Sequence, residues 1–134
     1  MLDLPHMDEL LEAVRAFLIE DAAPALDGRR RFHALVAANV VAIVMREMKQ
    51  GEQGLKRELG QLWRLLEKEG SLEAAVAEKG VPGLAGELNR ELCRLIDAGK
   101  ADQGPWRKRL LKFLDATVER KLEVDNPGFD RTRL

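Results

Sequence analysis

Residues 29–49, RRRFHALVAANVVAIVMREMK, decide the fold class of this chain. From Ala34 to Met45 every residue except Asn39 is apolar, and the segment reads as one long helix. A helix apolar on most sides is expected to be covered by others, so this second helix should be largely buried. Asn39 stands where Leu or Ala would be simpler. A buried amide without a partner costs roughly 1–3 kcal/mol, so a specific hydrogen bond is expected there.

The rest of the chain is written in the same helical spacing, and strand alternation is almost absent. Leu10, Val14, Phe17 and Leu18 mark a first helix over about Met7 to Glu20, with Asp8 and Glu9 suiting its positive end. Pro24 and Gly28 break the chain before the second helix, which should stop near Gly51. Leu55, Leu59, Leu62 and Leu66 predict a third helix up to Glu69. Ser71 is a candidate N-cap for a short fourth helix reaching Glu78. Pro82 can open a fifth, with Leu84, Leu88, Leu92 and Leu95 or Ile96 as its stripe and Gly99 as its end. Asp102 or Gly104 begins a sixth, with Trp106, Leu110, Phe113, Thr117 and Leu122 inward. The expectation is an all-α, single-domain bundle of five or six helices over residues 1–134. Its helical body covers 7–122, and a turn at Asn126-Pro127-Gly128 and a tail fill 123–134. Short connections imply antiparallel neighbours.

Composition narrows the function classes. At 134 residues the chain can bury a core without disulfides or metal. Hydrophobic residues are 46% and charged residues 34%, which excludes general disorder. Aromatics are only 4%, so aliphatic side chains must fill the core, a palette favouring helices. A net charge of −1 gives no global attraction to nucleic acid or anionic lipid. Cys93 has no partner cysteine, which fits a reducing cytoplasm. The opening MLDLPHMDELLEAV carries acids where a signal peptide would carry lysines, so export is not expected. No apolar run reaches bilayer length. The expected setting is cytoplasmic, with neither nucleic acid nor membrane as partner.

The string RFHALVAANVVAIVMRE, with LLEAVRAFL before it and VDNP near the end, resembles an uncharacterised family of small bacterial helical proteins. The matching positions are Phe32, Val36, Ala37, Ala38, Asn39, Arg46, Glu47, Asp125, Asn126 and Pro127. The resemblance implies gene neighbours that are aminoglycoside-phosphotransferase-like kinases and acyl-CoA dehydrogenases. It implies no catalytic residue. Leu35 departs from the family pattern, which often has Arg there.

Candidate sites are few. On a helix Phe32, Val36, Asn39, Ile43 and Arg46 fall in line at steps of four and three, with Glu47 beside them. Asn39, Arg46, Glu47, Asp125 and Asn126 are therefore expected to form a buried polar network that fixes helix register, or else to line a binding site. Arg29, Arg30 and Arg31 begin a helix, where the macrodipole disfavours cations. Either Glu20 and Asp21 fold back on them, or they form an anion or interaction site. Arg107, Lys108, Arg109 and Lys112 repeat the pattern in the sixth helix and read as a salt-bridged, solvated face alongside Asp115, Glu119 and Glu123.

Catalysis and cofactors are not expected. His6 and His33 are the only histidines, and neither has a partner at metal-ligand spacing. Cys93 reads as a buried, inert thiol and Ser71 as a cap. The expected role is a non-catalytic helical interaction or accessory module that self-associates or docks on an enzyme encoded nearby. The alternative is a binding protein for a phosphorylated or CoA-type ligand at Arg29–Arg31. A large exposed apolar patch favours the first, a deep pocket with convergent arginines the second.

Overall fold

The computed structural model describes residues 4–130 and 132, and the regular elements among them are all helical. They are α1 (Met7–Ala16), a π-helical segment continuing it (Phe17–Ala22), α2 (Gly28–Leu65), α3 (Leu72–Asp97) and α4 (Pro105–Asp125). The all-α expectation holds, but the count is four α-helices rather than five or six. Two glycines explain the difference. Gly51 (φ 48°, ψ −156°) and Gly80 (φ 70°, ψ 160°) leave helical geometry without a loop, so the expected second and third helices join as α2. The fourth and fifth join in the same way as α3. Positive φ at these two points carries no Cβ penalty for glycine. No described helix is long and apolar enough to cross a membrane.

The contacts gather into two compact units that divide between Gln50 and Gly51. In unit 1, the residues up to Gln50, the Glu9 carboxylate accepts the His6 backbone N–H at 2.9 Å and helps start α1. In the π-helical segment the Ala23 N–H reaches five residues back to the Leu18 carbonyl, at 2.9 Å. The buried apolar residues of this unit are Ala23, Ala34 and Ala38. Many of its large apolar side chains remain exposed: Leu10 and Val14 on α1, Phe17 in the π-helical segment, and Phe32, Leu35, Val36, Val40 and Val44 on α2. A largely buried second helix is thus not observed. Small residues are the fully buried ones on its covered side, with Val41 and Met45 half-buried on the same line, while Phe32, Val36, Val40 and Val44 point outward.

Unit 2 holds the hydrophobic core. Leu59, Leu62 and Leu65 from the end of α2 and Leu66 just beyond it pack with Leu84, Leu88 and Leu92 of α3 and with Trp106, Leu110 and Phe113 of α4. These are the stripes read from the sequence, and they are buried because three helices bring them to one centre. Local signals set the boundaries. The Ser71 hydroxyl accepts the Ala74 N–H at 3.2 Å as the N-cap of α3, and Pro105 opens α4 after Gly104 at φ 90°. The Trp106 indole N–H donates to the Leu65 carbonyl at 3.1 Å, satisfying one carbonyl at the end of α2. α4 runs to Asp125, slightly beyond the expected 122. The predicted turn follows, closed by the Phe129 N–H on the Asn126 carbonyl at 3.0 Å.

Candidate functional site

The residues singled out in the sequence divide between the two units. Arg29, Arg30 and Arg31 occupy the first turn of α2 and are exposed. None has an ion pair or side-chain hydrogen bond among the described residues, and Glu20 and Asp21 do not neutralise them. Asn39 and Glu47 are exposed, Arg46 is half-buried, and Asp125 and Asn126 are exposed at the end of α4. The expected buried polar network is therefore corrected: no polar or charged side chain is buried among the described residues. Its physical basis fails at Asn39, which lies on the outward side of α2 rather than on the side carrying Ala34 and Ala38. Asn126 borders a small acidic cleft of about 350 Å³ with Glu119, Glu123 and Phe129.

What replaces the network is a surface. Phe32, Val36, Val40, Val44 and Met48 follow at steps of four along α2, all exposed, Phe32 by 63% and Val40 by 52%. Leu35, Asn39, Ile43 and Glu47 form the adjoining row. One amide is set among aliphatic side chains on a solvent-facing stripe. Arg29 stands at the start of that stripe and Glu47 near its end. They are 47 − 29 = 18 positions apart, about five turns and about 27 Å on the same line of the helix. Neither has a charged partner among the described residues. The Phe32 and His33 rings lie 6.0 Å apart, and His33 has no further polar contact among the described residues.

The basic start of α4 is only partly tied down, and among the described residues not by the acids further along the helix. Arg109 donates to the Glu67 carboxylate at 2.7 Å, and Arg107 donates to the Ala101 carbonyl at 3.0 Å. The Lys100 ammonium lies 5.1 Å from the Trp106 ring centroid. The Arg109 hydrogen bond, then its charge and that of Lys100, holds the Glu67 carboxyl below its usual range. Cys93, expected to be buried, is exposed on α3. Among the described residues no three His, Cys, Asp or Glu side chains gather in a metal-binding arrangement.

Unit 2 also contains two clefts that the sequence reading missed, lined in part by Arg64 and Lys112. These residues are far apart in the chain. Only the packing of α4 against α2 brings them together, and no local pattern announces it.

Comparison with curated proteins and with solved structures gives no match. A family model does match, over residues 24–129, from the turn before α2 to the turn after α4. That span includes the exposed stripe, both clefts and the whole core of unit 2. The chain belongs to the family described as Domain of unknown function (DUF6285).

Proposed function

We propose that this protein is a non-catalytic helical interaction module that associates with a second copy of itself through the outward stripe of α2. The supporting observation is the exposed row from Phe32 to Met48, which ends in two charges of opposite sign without partners. Exposed apolar rows of this length are characteristic of contact surfaces. A second copy is favoured over other occupants by charge complementarity. Two copies of the stripe laid antiparallel about a two-fold axis bring Arg29 of each against Glu47 of the other. The middle of that span is held by Val36 and Val40, with Asn39 at the flank of the same seam. An amide both donates and accepts, so Asn39 can pair with its own copy near the axis. A single polar residue inside an apolar seam sets register and partner number in helical assemblies.

The alternative, a phosphorylated ligand at Arg29–Arg31, has less support. Consecutive helical residues point about 100° apart, so three adjacent guanidinium groups do not converge on one anion. Docking on an enzyme encoded nearby would use the same stripe.

Light scattering over a range of concentrations tests the proposal. Wild type is expected to be dimeric, Val36→Glu monomeric, and Arg29→Glu with Arg30→Glu weakened at unchanged helicity. Combining Arg29→Glu with Glu47→Arg should restore association, because the pairing is only reversed. A wild-type protein that stays monomeric throughout would overturn self-association.

A further inference from the structure

We propose that unit 2 carries a second, separate site, for a free amphiphilic anion whose apolar chain ends in a phosphate or carboxylate. Two clefts meet at the side chains of Gln61 and Arg64 on α2. The smaller, about 370 Å³, is bordered by Arg64, Arg109 and Lys112 with Phe113 and Leu65 at its apolar wall, and no acid lines it. The larger, about 700 Å³, runs past Leu59, Gly60, Leu72 and Val76, with Arg57 at its edge.

The charges are unevenly satisfied. Arg57, Arg64 and Lys112 have no ion pair or side-chain hydrogen bond among the described residues, while Arg109 is engaged by Glu67. Glu73, the acid beside the larger cleft, already accepts the Ser71 hydroxyl at 2.9 Å. Uncompensated cations around a concavity focus positive potential into it and raise the local concentration of anions. A guanidinium and an ammonium facing one cleft supply the charge-assisted donors that an oxyanion head requires. The larger cleft supplies the complementary half, an aliphatic strip of Leu59, Leu72 and Val76 beside a bare helical position, flanked by Lys56, which Glu52 pairs, and by Arg57 and Glu73. A Cβ built on Gly60 would lie 3.8 Å from Leu72 Cδ2, so a side chain at 60 would occupy the groove. An apolar pocket with a few polar groups at one end orients a ligand by its head.

Isothermal titration with monooctyl phosphate, octanoate, inorganic phosphate and octanol tests this. Either alkyl anion should bind at least about tenfold more tightly than inorganic phosphate and octanol, since head and chain each contribute. The stronger of the two alkyl anions identifies the head group. Arg64→Ala and Lys112→Ala should each weaken that binding by about tenfold, the scale of one charge-assisted hydrogen bond. Lys108→Ala removes an exposed cation of α4 outside both clefts and should change nothing. Gly60→Val should weaken the alkyl anions selectively and leave inorganic phosphate as it was, with circular dichroism confirming the helices. The proposal is overturned if neither alkyl anion binds, if inorganic phosphate binds as tightly as its octyl ester, or if Lys108→Ala weakens binding as much as Arg64→Ala. The self-association variants lie in unit 1, so the two proposals fail or stand independently.

Discussion

Glu58 on α2 and Arg120 on α4 form an ion pair that is largely withdrawn from solvent, with side chains only 18% and 25% exposed. The Arg120 Nε is buried and has no partner of its own, so the guanidinium depends on this carboxylate. Glu58→Ala should destabilise unit 2 by about 1–3 kcal/mol, because it leaves a half-buried charge unpaired. Replacing both residues with Met should recover most of that loss, since the desolvation cost disappears with the pair. Urea titration of the single and double variants measures both effects.

Leu88 is 0% exposed at the centre of the three-helix core. Leu88→Ala should cost about 2–5 kcal/mol through lost burial and the cavity left behind. Val40→Ala, on the exposed stripe, should cost less than about 0.5 kcal/mol under dilute conditions. Hydrogen exchange should likewise protect the amides around Leu62 and Leu88 more strongly than those from Val36 to Val44. Greater protection of the latter in dilute protein would contradict the exposure of that face.

The pH dependence has a defined sign. Glu67, hydrogen-bonded by Arg109, and Glu87, hydrogen-bonded by Lys79, both have carboxyls held below the ordinary 4.5. Glu73 joins them through its own backbone N–H and the Ser71 hydroxyl. Groups depressed in this way contribute fully above pH 4.5, and the contribution drains away as pH falls through their lowered values. Lys79 is raised above 10.5 by the same Glu87 hydrogen bond, so its share is complete below 10.5 and is lost on further alkalinisation. All are solvent-facing, so the effect should be small and should shrink in high salt. The melting midpoint should decline below pH 4.5, and Glu67→Gln should flatten that limb.

Asn39 should act on assembly rather than on the fold. Being exposed, it leaves no buried partner orphaned when removed, so Asn39→Ala should leave the melting of dilute protein nearly unchanged. Asn39→Leu should tighten association and relax its stoichiometry, because an apolar seam without a polar register mark accepts more arrangements. Sedimentation velocity on the two variants distinguishes these outcomes.

Much of the fold was legible because its boundaries are local chemistry. Ser71 as a cap, Gly99 as a stop and Gly104-Pro105 as a start act within one turn of where they stand. The leucine stripes at 59, 62 and 66 and at 84, 88 and 92 also read correctly, since helical spacing is a short-range property. Coverage is not. The apolar run around Asn39 shows that a face avoids water, but not whether its own chain or another supplies the cover. Gly51 reads as an end and Gly80 is not singled out; at both the backbone leaves helical geometry for one residue and helix resumes without a loop, which a sequence pattern does not distinguish from a stop. The pairing of Glu67 with Arg109 and the shared cleft of Arg64 and Lys112 depend on tertiary packing, which no periodicity encodes.

The fully buried residues of unit 1 are alanines, a thin seam in which Ala23, Ala34 and Ala38 bury little area each. At roughly 25 cal/mol per Å² of apolar surface, such a seam offsets only a small part of the entropy of ordering two helices. If the outward stripe associates as proposed, order in this half would follow mass action: dilution should loosen it and crowding by its own copies should firm it. On that proposal, abundance in the cell would set how much of this half is closed away and how much lies open to proteases.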